Sequence, residues 1–262
     1  MKELLDTAMA AAEIGGEVLL EHLSEARALR VEAKADFDFV TQADHAAEEA
    51  IVAHIRVRFP DHQIIAEERG LSGNDASTRW IIDPLDGTTN YIHGVPNFAV
   101  SIAVAREEEI VVGVVFDPMS GEMFSATRGD GGFLNGQRLR VSDNSRLDQC
   151  LLATGFPFRR KDLVDNYLAS FRNFFGKVRD VRRMGAASID LAYVAAGRFD
   201  GFWEIALSPW DFAAGVLLIR EAGGRVTGFA PDDDFWKSGN LLASNGLIHE
   251  FLNQQITPLR NL

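Results

Sequence analysis

A mixed α+β and α/β fold in two halves is predicted for this 262-residue chain on three observations. Two amphipathic helical stretches open it, β-rich runs joined by short turn signals follow, and helices and strands alternate from about residue 148. Such patterns bury their apolar faces as helices against a largely antiparallel sheet, then as a layered α/β arrangement. The boundary falls near residues 142–148 and divides the chain into 1–145 and 146–262, with no repeat, low-complexity segment or Pro/Ser linker.

The elements follow in order. Residues 2–29 read as a helix because Leu5, Ala8, Ala12, Gly15 and Leu19 recur every three or four positions. Residues 42–59 read as a second, with Ala47, Ile51 and Ile55 on one face and Pro60 ending it. Gln63 to Ala66 is a short strand running into Glu67-Glu68, and a polar loop from Gly70 to Thr78 leads to the strand Trp80-Ile81-Ile82. Phe98 to Ala105, Ile110 to Phe116 and Glu122 to Ala126 form a meander, its turns marked by Arg106 to Glu109 and Asp117 to Gly121. Gly129-Asp130-Gly131-Gly132 precedes the hairpin signal Asn135-Gly136 and no helix, so these glycines are turn chemistry, not a phosphate loop. The second half predicts strands at Cys150–Thr154, Val178–Val181, Phe199–Glu204 and Leu241–Ala243. Helices are predicted at 162–175, 186–196, 210–222 and 246–255.

Composition excludes several classes. Apolar content of 47% with 24% charged residues suits a soluble globular protein, and the net charge of −12 disfavours nonspecific nucleic-acid binding. The single cysteine, Cys150, permits no internal disulfide and lies in an apolar run, so it reads as a buried strand residue rather than a nucleophile. No basic-then-apolar signal segment and no run of membrane-spanning length is present, which predicts a cytoplasmic protein with no membrane partner.

Chemistry concentrates in Trp80-Ile81-Ile82-Asp83-Pro84-Leu85-Asp86-Gly87-Thr88-Thr89-Asn90. An apolar strand ends at two carboxylates three residues apart, followed at once by backbone N–H groups free for an anion. Hard oxygen ligands beside a phosphate cradle are what cation-assisted ester hydrolysis requires. Taken alone, Asp-Pro-x-Asp-Gly is better explained by Asp83 as a helix cap and Asp86 as an Asx turn. Chance occurrence of Asp-Pro-x-Asp-Gly-Thr in a chain this long is about one in ten thousand, which favours the chemical reading.

This stretch resembles the first signature of the Mg²⁺-dependent, lithium-sensitive inositol monophosphatase family. Trp210 to Gly215, running on to Gly224, resembles the second. Arg183 to Ala192, Gly201-Phe202-Trp203-Glu204, Val40 to Asp44 and Glu67-Glu68 also resemble family segments, in order along most of the chain. The resemblance implies a layered αβαβα sandwich with its site where the halves meet. It implies two or three Mg²⁺ ions per site, with Mn²⁺ as a substitute. Glu67, Asp83 and the Leu85 carbonyl hold one metal on this reading, and Asp83, Asp86 and Asp211 another. Thr88 with Glu67 orients and deprotonates the attacking water, Asp44 supports metal or water, and the Gly87 and Thr88 amides receive the phosphate. Asp86, Gly185, Ala186, Ala187 and Glu204 contact the substrate.

The implied activity is hydrolysis of a phosphate monoester, myo-inositol monophosphate first, by direct attack of metal-activated water in a homodimer. Fructose 1,6-bisphosphate, histidinol phosphate and a nucleotide 3′-phosphate are the alternative substrates. A regulatory or scaffolding protein retaining the fold is the alternative of another class. Read without the family, Asp211 is an N-cap, Glu204 a surface carboxylate, Glu68 solvent-facing, and Arg159-Arg160-Lys161 a solvated basic turn. Lys34 to Phe39 corresponds to a loop near a third metal, and the six histidines show no metal-pair spacing.

Overall fold

The computed structural model describes residues 1–29, 36–158 and 160–259, with side chains described outside 24–41. Lys34 and its neighbour to residue 35 lie outside the described residues, and of 36–39 only the helical backbone is described.

The first half holds α1 (Lys2–Leu29), α2 (Asp36–Arg58), β1 (His62–Ala66), β2 (Gly70–Ser72), β3 (Asp75–Asp86), α3 (Thr88–His93) and β4 (Ala99–Arg106). It continues through β5 (Glu109–Asp117), β6 (Glu122–Thr127), β7 (Gly131–Leu134) and β8 (Gln137–Arg138). These strands form one eight-stranded sheet in the order β2-β1-β3-β4-β5-β6-β7-β8, antiparallel throughout except where β1 runs parallel to β3.

The second half holds β9 (Leu151–Thr154), α4 (Val164–Arg172), β10 (Asp180–Arg182), α5 (Ala187–Ala195), β11 (Gly201–Glu204) and α6 (Pro209–Glu221). It ends with β12 (Arg225–Thr227), α7 (Phe235–Ser238), β13 (Leu241–Ser244) and α8 (His249–Gln255). Its sheet runs β10-β9-β11-β13-β12 and is mixed, with the first three strands parallel and the last two antiparallel.

Strand alternation builds the layers. In β4, Val100, Ile102 and Val104 face Ala8, Leu19, Ile51 and Ile55 of α1 and α2. Ala99, Ala103 and Ala105 face the other way, onto Leu191 of α5 and Phe212 and Val216 of α6. Small residues on that face bring α6 close: a Cβ on Gly113 of β5 would lie 2.8 Å from the Ala214 carbonyl oxygen. The same α5 and α6 cover Ala153, Phe202 and Ala243 of the second sheet. Tyr167, Phe174, Trp203, Leu242 and Leu252 form the outer core under α4 and α8. The result is the αβαβα sandwich that the resemblance implied, with helices of the second half packed on the sheet of the first.

Two departures from the sequence reading have simple causes, and the glycine turn, read as turn chemistry, adds one detail. Gly70–Ser72, expected as loop, pairs with β1 at the sheet edge because its backbone groups complete the ladder there. β3 begins at Asp75 and continues through the motif to Asp86, accommodating Pro84 at an irregularity between Asp83 and Asp86. The glycine turn does bind a carboxylate: both oxygens of Glu221 accept from the Gly129 and Gly131 amides at 2.9 Å, so the protein fills that cradle itself.

Candidate active site

The two chain ends of β1 and β3 bring the first carboxylates together. They are parallel neighbours with Ala66 opposite Ile82, so Glu67 and Asp83 emerge side by side at the same sheet edge. The Glu67 amide donates to the Ile82 carbonyl at 3.2 Å. The bulge after Asp83 re-aims the strand. Asp83 Oδ1 accepts the Leu85 amide at 3.0 Å, and Thr88 Oγ1 donates to the Leu85 carbonyl at 3.1 Å. Gly87 is the N-cap of α3, with φ 92°, and a Cβ there would meet the Asn97 carbonyl oxygen at 2.9 Å and Ala186 Cβ at 3.2 Å. No side chain caps α3, so Asp83 is not its cap.

The second half closes the site from above. Ser188 donates to Asp86 Oδ2 from its amide at 2.7 Å and from its hydroxyl at 2.5 Å. Asn90 Nδ2 donates to the Met184 carbonyl at 2.9 Å and to Asn97 O at 2.7 Å, tying the turn to the segment before α5. Asp211 is not the N-cap of α6, as read without the family. Ser208 is, Pro209 follows it, and the Ser208 amide donates to Asp211 Oδ2 at 2.8 Å.

Between the halves lies a cavity of about 610 Å³. Its walls include Glu67, Asp83, Leu85, Asp86, Gly87, Thr88, Gly185, Ala186, Ala187, Glu204 and Asp211, every site residue named from the sequence except Asp44. Asp44 is buried on α2, and its Oδ1 has no hydrogen-bond partner. Burial, then Glu68, Glu67 and Glu48, pushes its carboxyl up to about 8.

The carboxylates feel one another. Burial foremost, then Asp86, Glu67, Asp211 and Asp44, raises the Asp83 carboxyl well above the ordinary range. Burial also raises Asp86, and the hydrogen bonds from Ser188 oppose it. Like charges held this close and dry favour a proton or a cation between them. The donors are all hard oxygens, a set that fits Mg²⁺ or Mn²⁺ and no soft metal. Among the described residues no three His, Cys, Asp or Glu side chains already stand together so as to hold a metal alone. Mg²⁺ keeps several of its waters and is held by few carboxylates, so it needs no closed cage.

Several residues outside the sequence reading also line the cavity. Arg183 lies over the Phe156 and Phe158 rings, 5.8 and 6.0 Å from their centroids. Gly155 makes room for Glu204, since a Cβ there would fall 1.8 Å from Glu204 Oε1. Asp190 is buried on α5. Arg160 reaches the rim but is paired with Asp162, Nη2 to Oδ2 at 2.8 Å; Arg159 lies outside the described residues. Glu68 does not simply face solvent: His45 Nε2 stands 3.6 Å from it.

The chain is thus a two-sheet, five-layered sandwich with a carboxylate-lined cavity between its halves. The Inositol monophosphatase family model matches residues 1–260, and the chain belongs to that family. It is 48% identical over 263 residues to the Nus factor SuhB of Pseudomonas aeruginosa, covering 98% of this chain and 97% of that one. It is 44% identical over 250 residues to an inositol-1-monophosphatase of Mesorhizobium japonicum, covering 95% and 94%. The solved inositol monophosphatase of Anabaena (Nostoc) sp. PCC 7120 superposes with a TM-score of 0.88 at 42% identity, over 100% of this chain and 99% of that one. Relatives with two kinds of name stand at similar identity, so likeness gives the family and leaves activity to the site's chemistry. The expectation of no nucleic-acid partner gains no support from relatives named Nus factors. No described helix is long and apolar enough to cross a membrane.

Proposed function

We propose that this chain is a Mg²⁺-dependent phosphomonoesterase acting on a polyol monophosphate, myo-inositol monophosphate first. One observation carries the reading: Glu67, Asp83, Asp86 and Asp211 line one cavity together with the Gly87–Thr88 turn and Glu204, and the charges of Glu67, Asp86 and Asp211 all reach Asp83. Glu67, Asp83 and the Leu85 carbonyl would hold one Mg²⁺, and Asp83, Asp86 and Asp211 a second; Mn²⁺ has the same oxygen preference. Bound there, such ions neutralise the ester's charge and acidify a water.

The chain's own groups do the rest. Thr88 Oγ1, anchored on the Leu85 carbonyl, orients the attacking water, and Glu67 takes its proton. The Gly87 and Thr88 amides receive the phosphate oxygens. Asp44, buried on α2 with Glu67 as a charged neighbour, would support the metal or the water. Gly185, Ala186, Ala187 and Glu204 meet the alcohol. The units that dock to form the site are 1–145 and 146–262, and the working state is a homodimer. Fructose 1,6-bisphosphate, histidinol phosphate and nucleotide 3′-phosphates undergo the same chemistry and belong in the test panel.

A second reading, a regulatory protein that keeps this fold, is favoured by the relatives named Nus factors. Phosphate release from the panel, measured with and without Mg²⁺ and Li⁺, decides. Turnover that requires Mg²⁺ and falls with Li⁺ supports the phosphatase; no turnover of any monoester leaves the regulatory reading.

A further inference from the structure

We propose that Asp190 is a specificity-determining residue of this cavity, its Oδ1 accepting a hydrogen bond from a hydroxyl or ammonium on the alcohol part of the substrate. The proposal rests on the phosphomonoesterase reading and adds a residue to it.

Asp190 is the fourth residue of α5, a helix with eight of its nine residues buried. Ile189 and Leu191 on either side belong to the core between the sheets. Asp190 shares the cavity-facing side with Ala187, three positions earlier, and both line the cavity. Its side chain is 2% exposed, and Oδ1 has no hydrogen-bond partner. Buried polar atoms almost always have partners, so an unpartnered carboxyl on a cavity wall calls for a ligand, ion or water there. No structural duty explains the carboxyl: the N-cap of α5 is Ala186, whose carbonyl takes the Asp190 amide at 3.1 Å, and Asp86 is held by Ser188 instead.

The surroundings define the ligand. Glu204 and Asp86 act on Asp190 as negative neighbours and Arg183 as a positive one. Two carboxyl groups, Asp190 and Glu204, thus line the cavity within reach of each other's charge. Acceptors there recognise donors, so the leaving alcohol carries more than its ester oxygen. A ligand lacking such donors leaves Asp190 unsatisfied, and sites of this kind discriminate strongly against it.

The test is calorimetric titration, with Mg²⁺ present, of the methylenephosphonate analogue of inositol 1-phosphate, whose C–P bond resists hydrolysis. Methylphosphonate reports the head group alone, and an aminoalkyl phosphonate separates ammonium from hydroxyl recognition. Asp190→Leu is expected to weaken the inositol or the aminoalkyl analogue at least tenfold and methylphosphonate less than twofold. Asp190→Asn, which retains an acceptor, is expected to fall between. The empty Asp190→Leu protein should melt no lower than wild type, because its unpartnered oxygen is gone, whereas a structural carboxylate would lower the melting temperature. Equal weakening of all probes, no weakening, or a wild type that prefers neither analogue over methylphosphonate overturns the inference. Asp190-dependent binding without phosphate release from inositol 1-phosphate would leave Asp190 as assigned and remove the hydrolytic reading.

Discussion

Ser188 holds Asp86 from across the molecule: its amide and its hydroxyl both donate to Asp86 Oδ2, at 2.7 and 2.5 Å, from 102 residues away in sequence. The carboxylate of the first half is therefore aimed by the first turn of a helix in the second. Hydrogen bonds to a charged acceptor contribute about 1.5–3 kcal/mol each. Ser188→Ala keeps the amide bond and loses the hydroxyl one. Its kcat/KM should drop about tenfold, since every 1.4 kcal/mol is tenfold, and its melting temperature should fall by only a few degrees. Unchanged kinetics with an intact fold would show that the Ser188 hydroxyl does not set Asp86.

Gly155 and Glu204 make a similar pair within the second half. Gly155 does not occupy the left-handed region, so alanine fits its backbone, yet the added Cβ would strike Glu204 Oε1 at 1.8 Å. Gly155→Ala must move the Glu204 carboxylate. KM for a polyol monophosphate should rise about tenfold, while turnover of 4-nitrophenyl phosphate, which offers Glu204 no hydroxyl, stays within about twofold. Equal effects on both esters would detach Glu204 from alcohol recognition.

His249 reports on acid stability away from the site. Its ring is buried between Thr227 Oγ1 and Ser244 Oγ, each 2.9 Å from a ring nitrogen. Burial first, then Arg225, lowers its pKa from 6.5 to about 4. Between those values the unfolded chain binds the proton and the folded chain does not, so stability falls as pH drops through that window. From pH 7 to pH 5 this group removes about 2 kcal/mol. Urea unfolding of wild type and His249→Gln at both pH values should show the wild type losing more by that amount. Equal losses would mean the ring protonates freely in the fold.

Much of the architecture was legible because periodicity is local. Ala8, Leu19, Ile51 and Ile55 mark the faces of α1 and α2, and the β4–β6 meander follows from its turns. Two edge strands were not, Gly70–Ser72 and Arg225–Thr227, each three residues long and too short to show alternation. At the site, the motif from Asp83 to Thr88 announced itself because two carboxylates and the Gly87–Thr88 turn are contiguous in sequence. Asp190 had a readable signal, one carboxylate in the apolar run Ala186 to Ala196, but it was absorbed into the helix pattern. Gly155 beneath Glu204, and Ser188 on Asp86, had none. Both arise only when distant segments dock, and no local spacing encodes that. Asp211 shows the converse, where local capping logic picked the right turn and the wrong residue, because Ser208 satisfies the helix start first.

The most direct measurement of the central claim is phosphate release from myo-inositol 1-phosphate by wild type and Asp83→Asn over a Mg²⁺ titration. Asp83 is buried amid Asp86, Glu67 and Asp211, so it is the carboxylate whose charge most needs a cation. Changes one layer beyond a metal's ligands cost about 10–100-fold, and loss of a ligand itself should cost more. Wild type is expected to turn over in a Mg²⁺-dependent way, and Asp83→Asn at least about 100-fold less at any Mg²⁺ concentration. Turnover without Mg²⁺, or an Asp83→Asn protein as active as wild type, would contradict that claim.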